Sequence, residues 1–356
     1  MPAAIRDASP DSWGRRVILN RLLPTAVDTI ALDEATYLLE SGSNRLGAID
    51  FQVAASQYVP RNESATLDDL VNAAELVQKG MPLPDHLERA LLYGTAIGGA
   101  RPKALLSHGG RQLIAKFSTS TDTYDVVGAE AASMYLARRG RIPVANSEVA
   151  YSMGRKVLLL DRFDRDVQGR RRMVVSGLTM LGLPETFVPL GTYPDLLDTL
   201  RVESVALAGL GGQIFRRVAF NISTSNTDDH LRNHAAFWDG THLELTPAYD
   251  LSPVLRTGET GAQALGLNRA GDRRSDLQVL MESAADYNLD RSEAREIVEE
   301  VVDTIASEWD DAAEFAELSA SDRRAMMSTL FLNPGSVRAV APSTGISPRR
   351  TTTTEA

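Results

Sequence analysis

Residues 225–234 read SNTDDHLRNH, which sets the carboxylates of Asp228 and Asp229, the imidazoles of His230 and His234, the guanidinium of Arg232 and the carboxamides of Asn226 and Asn233 behind an apolar run, RRVAFNIST. Four residues separate Asp228 from Asn233, and Asp250 follows in LTPAYDLSP, past the apolar stretch THLELTP. Phosphoryl transfer asks for three such groups. One carboxylate accepts the proton of an attacking hydroxyl, while an amide oxygen and a second carboxylate hold Mg²⁺ against the phosphates. An Asp, four residues, an Asn and a short hairpin ending in Asp supply them in that order. On its own, D-x-x-x-x-N recurs by chance and equally describes an exposed, self-capping turn.

A second set of polar residues lies upstream. YGTAIGGARPK places Gly98, Gly99 and Lys103 just ahead of an apolar run, as in a loop whose backbone N–H groups approach phosphate oxygens. Lys116, in LIAKF, is flanked by Ala115 and Phe117 and so leaves one face of a strand between apolar neighbours. Such a lysine ordinarily reaches solvent. Glu130, on the helical segment that follows, is positioned to pair with it and hold it toward an α/β-phosphate.

These residues need a scaffold. KALLSHGGRQLIAKF reads as strand, Gly109-Gly110 turn, strand. VVGAEAASMYLARRG puts Val127, Ala131, Met134 and Tyr135 on one helical face, with Gly140 as terminator. SEVAYSMGRKVLLLDRFDR gives two more strands about a Met-Gly turn, and beyond Arg165 the pattern turns mainly helical. YPDLLDTLRVES, GLGGQIFRRVAFNIS and SEAREIVEEVVDTIASEW carry helical spacing, the last opening on Ser292 with Glu293 beside it. The expected class is α+β, a small sheet-containing lobe followed by a larger helical one. APSTGISPRRTTTTEA, poor in apolar residues and rich in Pro, Ser and Thr, reads as a disordered tail.

Composition narrows the chemistry. The chain of 356 residues is 43% hydrophobic and 24% charged, enough for two lobes with a sizeable core. With 37 basic against 47 acidic residues its net charge is -10, and Arg170 to Arg172 read as a solvated loop, so direct binding to nucleic acid is disfavoured. The absence of cysteine excludes disulfides, thiolate nucleophiles and cysteine-ligated zinc, and fits a reducing cytoplasm. No apolar stretch approaches the roughly 18 residues that span a bilayer, and no membrane partner is expected.

GGARPKALL, IAKF, LLLDRFDR, NTDDHLRNH and TPAYDLSP together resemble the HipA family of bacterial serine/threonine kinases, toxins of type II toxin–antitoxin modules. The resemblance runs over nearly the whole chain, to about Pro334. It implies a protein-kinase-like bilobal fold that uses ATP and Mg²⁺. Asp228 matches the catalytic base, and Asn233 and Asp250 match the metal-binding positions. Lys116 matches the ATP-contacting strand lysine with Glu130 as its partner, and Gly98, Gly99, Ala100, Arg101 and Lys103 match the phosphate-side loop. Asp161 to Phe163 fall at the adenine-binding hinge, while His230, Arg232 and Tyr249 lie beside the nucleotide.

The corresponding division is a partial N-terminal subdomain over 1–94, the kinase N-lobe and hinge over 95–163, the helical C-lobe over 164–335 and a disordered tail over 336–356. The implied activity is transfer of the γ-phosphate to a cellular protein with arrest of growth, aminoacyl-tRNA synthetases being recurrent targets in the family. The implied partner is a helix-turn-helix antitoxin of the HipB type, through which alone DNA is engaged.

Two features depart from the family. IRDASPDSWGRRVI resembles the middle of the usual N-terminal subdomain, so the strands before it are expected to be missing, and some members receive that part from a separate small protein. Ala96 stands where the family usually carries a serine that is autophosphorylated, leaving Thr95 as the neighbouring hydroxyl. Two rival readings stay open: a catalytically degenerate kinase that serves as an antitoxin-binding module, and a metal-dependent phosphohydrolase using Asp228, Asp229, His230, His234 and His242. The hydrolase leaves the glycine loop, Lys116 and Asp250 without a role. On the kinase reading, Asp229 matters less than Asp228.

Overall fold

The computed structural model describes residues 1–22, 32–62, 65–94, 101–119, 121–166, 168–184, 191–204, 208–256 and 258–340, apart from the side chains of 89, 90, 93 and 94. Among the described residues, the first 94 contribute five helices and no strand: α1 (Ala3–Asp7), α2 (Ser12–Leu22), α3 (Glu34–Glu40), α4 (Leu67–Gln78) and α5 (Asp85–Gly94). Strands β1 (Lys103–His108) and β2 (Arg111–Phe117) then precede α6 (Val126–Arg139), and β3 (Ser147–Ser152) and β4 (Arg155–Asp161) complete an antiparallel sheet in the order β1-β2-β4-β3. His108 pairs with Arg111 across a two-residue loop in which Gly109 and Gly110 both have positive φ, +57° and +79°. That is the backbone a tight hairpin requires and that glycine adopts at least cost.

Strand alternation gives this sheet two different faces. Leu113, Ala115, Phe117, Val157 and Leu159 are buried together with Trp13, Val17, Leu70, Val77 and Leu91 of α2, α4 and α5. Lys116, Leu158 and Leu160 point the other way, and the two leucines join the main core with α6 and the helical lobe. Burying a leucine on each face contributes about 1.5–3 kcal/mol, so a one-residue slip in register would put Lys116 into the α2–α5 core. Trp13, 2% exposed, fixes α2 beneath the sheet by donating from Nε1 to the Lys103 carbonyl at 3.0 Å.

Helix α6 is buried on nearly all sides rather than on the single face its spacing suggests, which its run of alanines permits. Asp125 caps it by accepting from Gly128 N–H at 2.8 Å. A Cβ at Gly128 would stand 2.4 Å from Asp125 Oδ2, so the cap depends on glycine there.

The helical lobe runs through β5 (Val174–Ser176), α7 (Gly177–Met180), α8 (Tyr193–Glu203), α9 (Leu210–Ser223), β6 (Ala235–Trp238), β7 (Leu243–Leu245), α10 (Leu277–Glu282), α11 (Arg291–Ser307), α12 (Trp309–Phe315), α13 (Ala320–Thr329) and α14 (Pro334–Val337). Its three strands form an antiparallel sheet, β5-β6-β7. Helix α11 starts ahead of the expected Ser292: Asp290 is the cap, in a reciprocal capping box with Glu293.

Two other expectations are corrected. Residues 336–340 are not tail. Ser336 is fully buried and donates to the Ser275 carbonyl at 2.8 Å, and Val337 and Val340 are buried; residues 341–356 lie outside the described residues. Of the arginines read as a solvated loop, only Arg170 is well exposed, because Arg171 donates to the Ser43 carbonyl and Arg172 lies over the Phe237 ring. Among the described residues, no helix is long and apolar enough to cross a membrane.

Candidate active site

The two lobes meet at Lys116. Its ammonium contacts the Glu130 carboxylate on α6 and stands 2.5 Å from Asp250 Oδ1, beyond the β6–β7 hairpin. Burial works against that charge, but Asp250 and Glu130 outweigh it and hold the lysine above its usual range. Lys116 in turn keeps the Asp250 carboxyl well below the usual carboxylate range, against burial and with help from Lys103. Asp250 takes a left-handed backbone, φ +59°, uncommon for a residue with a side chain.

Lys103 sits opposite Lys116 in the β1–β2 register and is 6% exposed, with no hydrogen-bond partner for its ammonium among the described residues. Burial pushes its pKa down, against the attraction of Asp250. A buried lysine and a half-enclosed lysine–aspartate pair on one sheet face form an anion-seeking surface next to a carboxylate.

Asp228 and Asn233 lie in the loop between α9 and β6. Asn233 donates from Nδ2 to the Asp228 carbonyl at 3.1 Å, and His230 N–H donates to the same oxygen at 2.9 Å. Among the described residues, nothing donates to Asn233 Oδ1, which is open to act as a ligand. The Asp228 carboxyl is exposed and, among the described residues, has no hydrogen-bond partner. Crowding around it pushes its pKa up, with Asp250 and Asp229 adding to the effect and His230 opposing it.

The loop is held from behind by residues that carry no spacing signal in the sequence. Asp229, 2% exposed, accepts from the Tyr193 hydroxyl at 2.7 Å and from Asn221 Nδ2 at 2.6 Å, and faces His234 Nε2 at 2.8 Å. Burial would raise its pKa, yet His234 and Tyr193 hold it below the usual range. Asn221 Oδ1 accepts from Asn226 Nδ2 at 3.0 Å, and Asn226 also reaches the Asp250 carbonyl at 3.3 Å. One buried polar chain therefore ties the Asp228 loop to Asp250. In the sequence, nothing but its place in the apolar stretch VAFNI marks Asn221.

The remaining expected site residues divide. His230 adjoins Asp228, and its Nδ1 is buried without a partner. The Arg232 carbonyl accepts from the Tyr249 hydroxyl at 2.6 Å, while its guanidinium faces Asp11 at 3.5 Å. Phe163 packs on Tyr249 at 5.5 Å between ring centroids and edge-on to Phe237 at 5.9 Å.

Asp161 is not brought to Lys116. Its carboxylate accepts from Arg111 Nε at 2.8 Å and Asn146 Nδ2 at 2.9 Å, on the opposite face of the sheet. Arg101 faces Asp122. Gly98, Gly99 and Ala100, with Thr95 and Ala96, lie outside the described residues. The hydrolase ligands are not assembled: Asp229 and His234 bond each other, and His242 faces Asp239 at 3.6 Å on the hairpin turn. Among the described residues, no group of three or more His, Asp or Glu side chains is placed to hold a metal.

Comparison with known proteins identifies the family. Residues 95–309, more than half of the chain, match the family described as HipA-like C-terminal domain. The serine/threonine-protein kinase toxin HipA of Shewanella oneidensis is 28% identical over 186 residues, which cover 45% of this chain and 43% of that protein. The match thus spans less than half the length of that relative. The structure of the Shewanella oneidensis MR-1 toxin–antitoxin system HipA, HipB and operator DNA complex superposes with a TM-score of 0.66 at 17% identity, covering 91% of this chain and 84% of the other. The fold is therefore the α+β, two-lobed, kinase-like one. The chain belongs to the family with the HipA-like C-terminal domain.

Proposed function

We propose that the chain is an ATP- and Mg²⁺-dependent protein kinase of the HipA toxin type, transferring the γ-phosphate to a hydroxyl of a cellular protein. The observation that carries this reading is the placement of Lys116 between Glu130 and Asp250, with Asp228 and Asn233 bonded into the adjacent loop.

On this reading Asp228 accepts the proton of the substrate hydroxyl. The new bond joins that oxygen to the γ-phosphorus as the bond to the β-phosphate oxygen breaks, and ADP leaves. The raised Asp228 pKa makes its carboxylate a better proton acceptor than an ordinary one. Lys116 and Lys103 offer positive charge to the phosphates, and Phe163 and Tyr249 offer ring surface to the base. The Asp250 carboxylate, kept anionic by Lys116, and the free Asn233 oxygen fit a hard cation that takes the rest of its ligands from phosphates and water. Bound there, Mg²⁺ would neutralise charge on the transferring phosphoryl group.

The Shewanella relative is named a toxin, and the superposed HipA is in complex with HipB and operator DNA. A helix-turn-helix antitoxin of that type is the proposed partner here, with DNA reached through it in the cytoplasm. Aminoacyl-tRNA synthetases are the proposed substrate class. Incubating a cell lysate with the purified protein, Mg²⁺ and γ-labelled ATP should label a discrete protein band, and overproduction of the protein alone should arrest growth. Release of free phosphate without a labelled protein would favour hydrolysis.

A further inference from the structure

The first two helices belong to different lobes. Helix α1 ends at Asp7 against α7 and β5 of the helical lobe, and α2 begins at Ser12 and packs beneath the small sheet. Between them, Ala8, Ser9 and Pro10 are buried. Arg45 Nη1 donates to the Ala8 carbonyl at 2.8 Å and Arg15 Nε to the Pro10 carbonyl at 3.0 Å. A connection whose backbone is buried and bonded in this way is held in one path.

Each end of that path is tied down. The Asp7 carboxylate accepts from Ser176 N–H at 2.8 Å, from Ser176 Oγ at 2.6 Å and from Thr179 Oγ1 at 2.7 Å. The next residue, Gly177, donates from its N–H to the His234 carbonyl at 2.7 Å, where the Asp228 loop ends. At the other end, Trp13 Nε1 bonds the carbonyl of Lys103, the residue that pairs with Lys116 in the small sheet. Between the two, Asp11 faces the guanidinium of Arg232, which lies between Asp228 and Asn233 in the chain, at 3.5 Å. The span from Asp7 to Trp13 thus meets α7, the Asp228 loop and β1 in turn.

Two packed lobes move against each other unless an interface or a tie holds them. We infer that the segment Asp7–Trp13 is a strap that holds the lobes at one separation across the cleft, with Asp7 its anchor on the helical lobe and Asp11 a positioning residue for the Asp228 loop. Hydrogen bonds to a carboxylate are the strong kind, and the anchor receives three. The role of Asp7 rests on the fold alone, whereas that of Asp11 rests on the kinase reading.

The chain has no cysteine, so nitroxide labels attach only where one is introduced. Ser107→Cys in β1 and Ser292→Cys in α11, both at exposed positions, put one label on each lobe. Pulsed double electron–electron resonance should give one narrow distance for the doubly labelled parent. Asp7→Asn, which keeps the size of the side chain, should widen that distribution at least about twofold. Ser176→Ala with Thr179→Val, which keeps every backbone bond and removes the two hydroxyl donors, should widen it as well. A distribution as narrow in both variants as in the parent would overturn the strap.

Asp11 is tested by the rate at which γ-labelled ATP, at saturation, labels protein in a cell lysate. Asp11→Asn should slow it about tenfold at unchanged Tm, and Asp11→Glu, which restores the carboxylate, should recover most of the loss. Equal rates for wild type and Asp11→Asn would remove its positioning role. Absence of any labelling by wild type would remove that role together with the kinase reading, while the distances still decide the strap.

Discussion

Lys116 Nζ stands 2.5 Å from Asp250 Oδ1, although 134 positions separate the two residues in the chain. The contact spans the two lobes and sets the charge of both partners. It therefore makes the strongest demands on experiment.

Lys116→Met should lower phosphoryl transfer by at least about 100-fold, because the ammonium that faces the phosphates is gone. It also leaves Glu130, whose side chain is 5% exposed, without its counter-charge. Removing one partner of a buried pair costs roughly 3–5 kcal/mol, so the urea midpoint should fall along with activity. A variant with an unchanged midpoint would show that the pair is not formed.

The same pair fixes a pH dependence. Asp250 has a depressed folded pKa, so its contribution to stability is present above its unfolded value of about 3.9 and is lost as pH falls through the folded value. Lys116 has a raised folded pKa, so its contribution is intact below about 10.5 and is lost as pH rises through the folded value. Stability from this pair should be flat between about pH 5 and 9 and fall on the acid side. Urea unfolding from pH 2 to 7 should show a shallower acid loss in Lys116→Met.

Asp228 and Asp229 should separate cleanly. The raised Asp228 pKa means that folding disfavours its ionised form, so above the folded pKa the carboxylate opposes stability. Asp228→Asn should leave Tm unchanged or slightly higher while transfer drops by orders of magnitude. Asp229→Asn instead turns a carboxamide toward Tyr193, Asn221 and His234, at a cost of about 1–3 kcal/mol. Its smaller activity loss should come with a lower Tm. Paired kcat and Tm measurements check this.

Asp164, 1% exposed, accepts from Arg162, Arg165 and the Gly47 N–H, and so pins residues 44–47 to the chain after β4. Asp164→Ala would strand two buried guanidiniums. A loss of roughly 3–5 kcal/mol is expected by urea titration.

The hairpins and the face that carries Lys116 were legible because local rules decide them. A Gly-Gly pair fixes the β1–β2 turn, and strand alternation then sends Lys116 away from Ala115 and Phe117. The spacing of Asp228, Asn233 and Asp250 was legible as well, since the order of groups is itself the signal.

The Asp229–Tyr193–Asn221–His234 cluster was not, because α8, α9 and the loop meet only in the folded chain. The cap at Asp290 and the packed residues 336–340 were missed for another reason. Ser292 and the Pro- and Ser-rich composition matched generic patterns that tertiary contacts overrode. Asp161 was placed by position in the chain, while its side chain follows the parity of the strand.

The most direct test of the central claim is labelling by γ-labelled ATP with Mg²⁺ in a cell lysate, comparing wild type with Asp228→Asn and Asp250→Asn proteins. The account expects one protein band labelled by wild type and at least 100-fold less label from either variant, with Asp228→Asn keeping the wild-type Tm. Equal labelling by wild type and Asp228→Asn, or no labelled protein beside free phosphate, would contradict it.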